Sequence, residues 1–133
     1  MAGAGSATPQ LRKLGIVAGA RWSVVGADAG WHFETAPDAA SEVGPHAPAD
    51  VVVVFVRAAA ELEPALVEHE QRVFPAGALW IAWPRKAAGH VSDLGDSLIR
   101  DAALARRLVD VKVAALDHDW SALKLVWRLQ HRE

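Results

Sequence analysis

Three positive side chains stand where apolar runs stop. Arg57 follows Val51-Val-Val-Val-Phe-Val56, and Arg85 and Lys86 follow Leu79-Trp-Ile-Ala-Trp-Pro84. Cations at strand ends on one edge of a sheet would hold a carboxylate or phosphate, arginine through its planar fork and lysine as a point charge. The plainer alternative is a solvated rim, or ion pairs with Glu61, Asp93 and Asp96. Asp117-His118-Asp119-Trp120-Ser121 is dense in ligating atoms, although such a run is more often the polar tip of a hairpin. The loop Gly26-Ala-Asp-Ala-Gly30 invites a phosphate, because glycines let one approach the backbone at a helix N-terminus. It has only two glycines of a G-x-G-x-x-G fingerprint, and Asp28 lies between them, where a carboxylate repels phosphate. A plain turn is the stronger reading.

Other chemistries lack their residues. With no cysteine there is no disulfide, thiolate site or cysteine nucleophile, which fits a reducing compartment. The histidines at 32, 46, 69, 90, 118 and 131 show no H-x-x-x-H or H-E-x-x-H spacing, so no metal is expected. No G-x-S-x-G occurs, and neither Ser92 nor Ser121 has an evident base. The net charge of −2 is mixed along the chain and gives nucleic acid no global attraction. The longest unbroken apolar run, Val51 to Val56, is far short of the roughly 20 residues that span a bilayer. The first residues lack the pattern of a secretory signal, so a cytoplasmic protein is expected.

The elements that must position these groups follow from periodicity. Residues 1–8 read as a disordered tail and residues 9–133 as one domain. Thr8-Pro9 opens a short helix, with Pro9 at its first position, that Gly15 ends. Trp22 to Val25 reads as a strand, with Gly26 to Gly30 and Trp31-His-Phe33 as a strand-to-helix turn. Residues 34–49 are broken by prolines, with a short strand near Ser41 to Val43. Val51 to Val56 is apolar on both faces, as a central parallel strand is. A helix over about 61–73 places Leu62, Leu66, His69 and Val73 inward and Glu63, Glu68 and Arg72 outward. Leu79 to Trp83 is a second sandwiched strand, and a helix from Gly95 and Asp96 turns Leu98, Ala102 and Ala105 to the sheet. Alternation over 109–115 and 123–129 gives an antiparallel hairpin. In it Lys112 and Lys124 lie near each other on a more polar outer face, either protecting the edge or extending a basic surface.

The expected fold is a three-layer Rossmann-like open α/β sheet, mostly parallel, closed by a C-terminal antiparallel edge hairpin. Ligands of such sheets sit outside the carboxyl ends of the strands. That edge collects the binding candidates Gly26, Asp28, Gly30, Arg57, Arg85, Lys86, Asp117, Trp120 and Ser121. Most of the six tryptophans are expected to supply core area.

Several segments together are similar to the bacterial family named domain of unknown function number 3052. They are Leu14 to Gly26, Ala49 to Arg57, Gly77 to Lys86, and Leu108 to Val113 with Trp120 to Val126. The resemblance implies a small single-domain bacterial protein, and the family carries no assigned reaction. The order of elements, with Val73-Phe-Pro-Ala-Gly-Ala-Leu-Trp80 as helix, turn and strand, also resembles a shortened class I methyltransferase. That superfamily has an acid leading into its first glycine loop and another after the second strand for ribose hydroxyls. Here Arg21 to Val25 carries no acid and the second-strand region is irregular. The expectation is a non-catalytic or regulatory binding module without a cofactor, partnered by a small anion, a protein or a second copy of itself. The alternative is a small enzyme dependent on S-adenosylmethionine or a nucleotide.

Overall fold

The computed structural model describes residues 9–133; the tail expected over 1–8 lies outside them. Strands β1 (Arg21–Val25), β2 (Ser41–Glu42), β3 (Val51–Phe55), β4 (Ala78–Pro84), β5 (Leu108–Ala115) and β6 (Trp120–Trp127) form one sheet in the order β2-β1-β3-β4-β6-β5. The first four are parallel, and β6 runs antiparallel to both β4 and β5. Helices α2 (Leu62–His69) and α3 (Asp96–Leu104) follow β3 and β4, and the short α1 (Gln10–Leu14) precedes β1.

The central strands form where the sequence is apolar on both faces. All five residues of β3 are buried. In β4, Leu79, Ile81 and Trp83 join one core with Leu62 and Leu66 of α2 and Ile99 and Ala103 of α3. Trp80 and Ala82 join the other with Leu14 of α1 and Phe33. The sheet is thus sandwiched between two helices on one side and, on the other, α1 together with the segment between β1 and β2.

That segment departs from expectation. The helix foreseen after Gly26 to Gly30 does not form: residues 26–40 contain turns and irregular backbone only. Trp31 and Phe33 fold back onto the sheet, their rings packed edge to face at 5.1 Å between centroids, so aromatic burial replaces a helical stripe. Pro9 is the N-cap of α1, one position earlier than expected. In α3 the inward stripe is Ile99, Ala102 and Ala103, while Leu98 and Ala105 are exposed. Arg72, expected outward, is buried.

The antiparallel pair expected from the alternation forms, but β6 begins at Trp120, three residues earlier than expected, which shortens the turn to residues 116–119. Lys112 and Lys124 are direct cross-strand partners. They share the face of Trp80, Lys112 Nζ lying 5.9 Å from its ring centroid, so this face is the margin of a core. Val111 and Val113 are exposed: β5 is an edge strand, and Val111 lies at its bulge between Asp110 and Lys112. Strand β6 ends at Trp127, and Leu129 lies exposed in a 3-10 turn.

Candidate functional site

Strand order reverses between β1 and β3, since β2 lies on one side of β1 while β3 and β4 lie on the other. Such a switch point opens a crevice at the carboxyl ends of the strands. Gly26 closes β1 with φ of 80°, and a Cβ there would stand 2.9 Å from the Phe55 carbonyl oxygen. The glycine therefore serves the close approach of β1 to β3. With no helix beginning after it, no bundle of helical N–H groups is presented to a phosphate.

The charged candidates bond to one another across this edge. Arg57 Nη2 donates to Asp28 Oδ1 at 2.6 Å, and its guanidinium lies 5.2 Å from the Trp120 ring centroid. Of the acids expected as its partners, Glu61 instead accepts the Arg57 backbone N–H at 3.0 Å. Asp93 accepts the Ala59 N–H, and Asp96 pairs with Arg100. Arg85 Nη1 donates to the carbonyls of Asp117 and His118 at 3.3 and 2.9 Å. Asp117 Oδ1 accepts the N–H groups of Asp119 and Trp120 at 2.8 and 2.9 Å, and its Oδ2 accepts Trp31 Nε1–H at 2.9 Å. Arg85 and Asp117 thus shape the β5–β6 turn and pin it to β4 and the 26–40 segment.

A crevice of about 320 Å³ remains, lined by Asp28, Arg57, Pro84, His90, Asp119 and Trp120. His90 Nε2 donates to Asp119 Oδ1 at 2.9 Å, and this bond holds the Asp119 carboxyl below its ordinary pKa. Asp28, Arg57 and Trp120 are brought together, with Gly26, Arg85 and Asp117 behind them as supports. Gly30 faces open space. Lys86 is exposed, and Ser121 sits within β6 opposite Trp83 and Ala115; neither lines the crevice. Sequence reasoning missed His90 and its bond to Asp119. The signal available was position alone, since His90 lies in the loop leaving β4 on the same edge.

Two donors, Arg57 and His90, thus face two acceptors, Asp28 and Asp119. Such a lining suits a ligand that both accepts and donates hydrogen bonds better than a bare anion. Among the described residues no group of three histidine, aspartate or glutamate side chains is placed to hold a metal. None of the helices there is long and apolar enough to cross a membrane.

The fold is shared with solved structures. A protein of the NADB-Rossmann superfamily from Streptococcus agalactiae aligns with a TM-score of 0.54 and 10% identity, over 91% of this chain and 68% of that one. The M1A22 tRNA methyltransferase TrmK of B. subtilis aligns with a TM-score of 0.53 and 12% identity, over 92% of this chain and 67% of that one. At these identities the likeness is one of fold. No protein-family model matches the chain, so the resemblance to domain of unknown function 3052 gains no support there, and no curated protein matches it.

Proposed function

We propose that this Rossmann-like chain is a non-catalytic, regulatory binding module that takes a small polar molecule or a protein segment in the crevice between the ends of β1, β3, β4 and β6. The observation that carries this reading is the closed pairing of the charged groups there. Arg57 is bonded to Asp28 and His90 to Asp119, so these groups are positioned for recognition and are not held apart as a free base or nucleophile. Arg57, which lines the crevice, offers its remaining guanidinium donors to a carboxylate or phosphate on the same ligand. The similarity of several segments to domain of unknown function 3052 is compatible with this reading.

One observation favours the alternative, a small enzyme dependent on S-adenosylmethionine or a nucleotide. Glu42 is the last residue of β2, the position at which the methyltransferase resemblance calls for an acid toward ribose hydroxyls. The absence of a helix after Gly26 argues the other way.

A thermal-shift panel separates the two. Any ligand that binds only the folded state at a hundred times its Kd adds about 2.7 kcal/mol of stability. The expected result is no shift with S-adenosylmethionine or with adenine and nicotinamide nucleotides at about 1 mM, and a shift with one or more small carboxylates or phosphates that also carry hydrogen-bond donors. Arg57→Ala should abolish that shift. Robust turnover on methyl-acceptor, phosphatase or esterase substrates that vanished in Arg57→Ala would overturn the reading.

A further inference from the structure

A second concavity lies on the sheet face that the missing helix leaves to the 26–40 segment. It is a groove of about 580 Å³ whose lining includes Trp22, Trp31, Phe33, Glu34 and Glu42, within the range of small-molecule sites. Its aromatic walls are held by mutual contact: Phe33 meets Trp22 edge to face at 5.2 Å and Trp31 at 5.1 Å. Trp31 continues to Phe55 at 5.0 Å, and Phe55 to Trp120 at 4.8 Å, so the wall is braced from behind by the core. Glu34 and Glu42 are exposed, and neither pairs with a cation among the described residues. The backbone N–H of Glu34 donates to Gln10 Oε1 at 2.8 Å, which ties its stretch of chain to α1. No lysine or arginine lines the groove. One buried donor in its wall, Trp22 Nε1, has no partner among the described residues.

We infer that this groove binds a small organic cation with a methylated ammonium head. Aromatic π-systems carry negative charge density on their faces and attract a weakly hydrated cation, and this is how quaternary ammonium groups are recognised. Trp22, Trp31 and Phe33 supply the rings, and Glu34 and Glu42 supply the compensating charge. A primary ammonium would keep its water at an apolar wall, whereas a trimethylated one presents methyl groups to it. An anion would meet two carboxylates, with no lysine or arginine and only the imidazole of His32 to offset them. The inference is independent of the crevice beside Arg57, with which the groove shares no lining residue.

The test uses the full chain and choline chloride, followed by tryptophan fluorescence against a sodium chloride control at equal ionic strength. The neutral carbon isostere 3,3-dimethyl-1-butanol is the comparison ligand. Choline is expected to give a saturable change, and the isostere to bind about tenfold more weakly. The double variant Glu34→Gln, Glu42→Gln should weaken choline binding by about tenfold while its melting temperature stays within roughly 2 °C of the parent. Absence of a saturable change up to about 50 mM choline would overturn the inference. So would equal affinity for the neutral isostere, which would mark the groove as merely apolar, or undiminished choline binding in the double variant.

Discussion

Trp80→Ala is expected to cost about 4 kcal/mol of folding stability, near the upper end for removal of a large buried ring. Trp80 is fully buried at the centre of β4, between Val53 of β3 and Lys124 of β6 in the sheet. Its ring fills the face covered by α1, and its Nε1–H donates to the Leu14 carbonyl at 3.1 Å, capping that helix end. The substitution removes both the apolar volume and the partner of a buried carbonyl. A domain of this size is held by about 5–15 kcal/mol in total, so the variant should show a much lower urea midpoint. Trp80→Phe keeps most of the ring and loses the N–H, and should cost about 1–2 kcal/mol. A loss below about 1 kcal/mol for the alanine variant would mean that α1 is not docked on Trp80 as described.

Arg72→Ala should cost about 3 kcal/mol, because a buried charge-assisted hydrogen-bond set is removed and its acceptors are left inside. Arg72 is 6% exposed. Its Nε donates to the Ala47 carbonyl and its Nη2 to the Gly44 carbonyl, both at 2.7 Å. Nη1 meets His69 Nδ1 at 3.1 Å, so that nitrogen accepts and His69 is held neutral with its proton on Nε2, 3.7 Å from Glu68. Arg72→Lys cannot span two carbonyls with one ammonium and should recover little. Hydrogen exchange should localise the loosening to residues 44–49, which the guanidinium clamps to the end of α2.

The same cluster gives a pH dependence. Burial, with the Arg72 charge adding to it, holds the His69 pKa below its ordinary value of 6.5. A base with a depressed folded pKa contributes stability that is complete above its unfolded value and declines as pH falls through that value toward the folded one. Stability should therefore fall as pH drops below about 6.5. Replacing Arg72 should shrink the decline, since the repelling charge is gone. An unchanged slope between about pH 7 and 5 would remove His69 as its source.

How much of this was legible differs by element. The runs Val51 to Val56 and Leu79 to Trp83 fixed β3 and β4 because a strand buried on both faces needs no partner information to be read. Alternation similarly gave the hairpin and placed Lys112 near Lys124, while their direct opposition follows from the bulged register. The helix expected after Gly30 failed for a nonlocal reason: Trp31 and Phe33 gain more by lying on the sheet beside Trp22 and Phe55 than a helical repeat could offer. The charge of Arg72 argues for solvent, whereas its place three residues after His69 puts both on one helical side, and there both are buried. Its acceptors at 44 and 47 lie in the stretch that carried least local signal. The sequence placed Arg57, Arg85 and Asp28 at one edge, but the pairing of Arg57 with Asp28 required β3 to lie beside β1, which only the strand order supplies. The His90–Asp119 bond has no local signature because it joins residues from separate connections, and the aromatic groove has none because it exists only once the irregular 26–40 segment lies against β1 and β2.

The most direct measurement of the functional account is a titration of S-adenosylmethionine into the isotopically labelled chain, followed residue by residue in amide correlation spectra at up to about 1 mM ligand. A binding module with no cofactor cradle after β1 predicts that the signals of Gly26, Gly30 and Glu42 stay in place throughout. Saturable, concerted movement of those three signals would contradict it and put a nucleoside across the ends of β1 and β2.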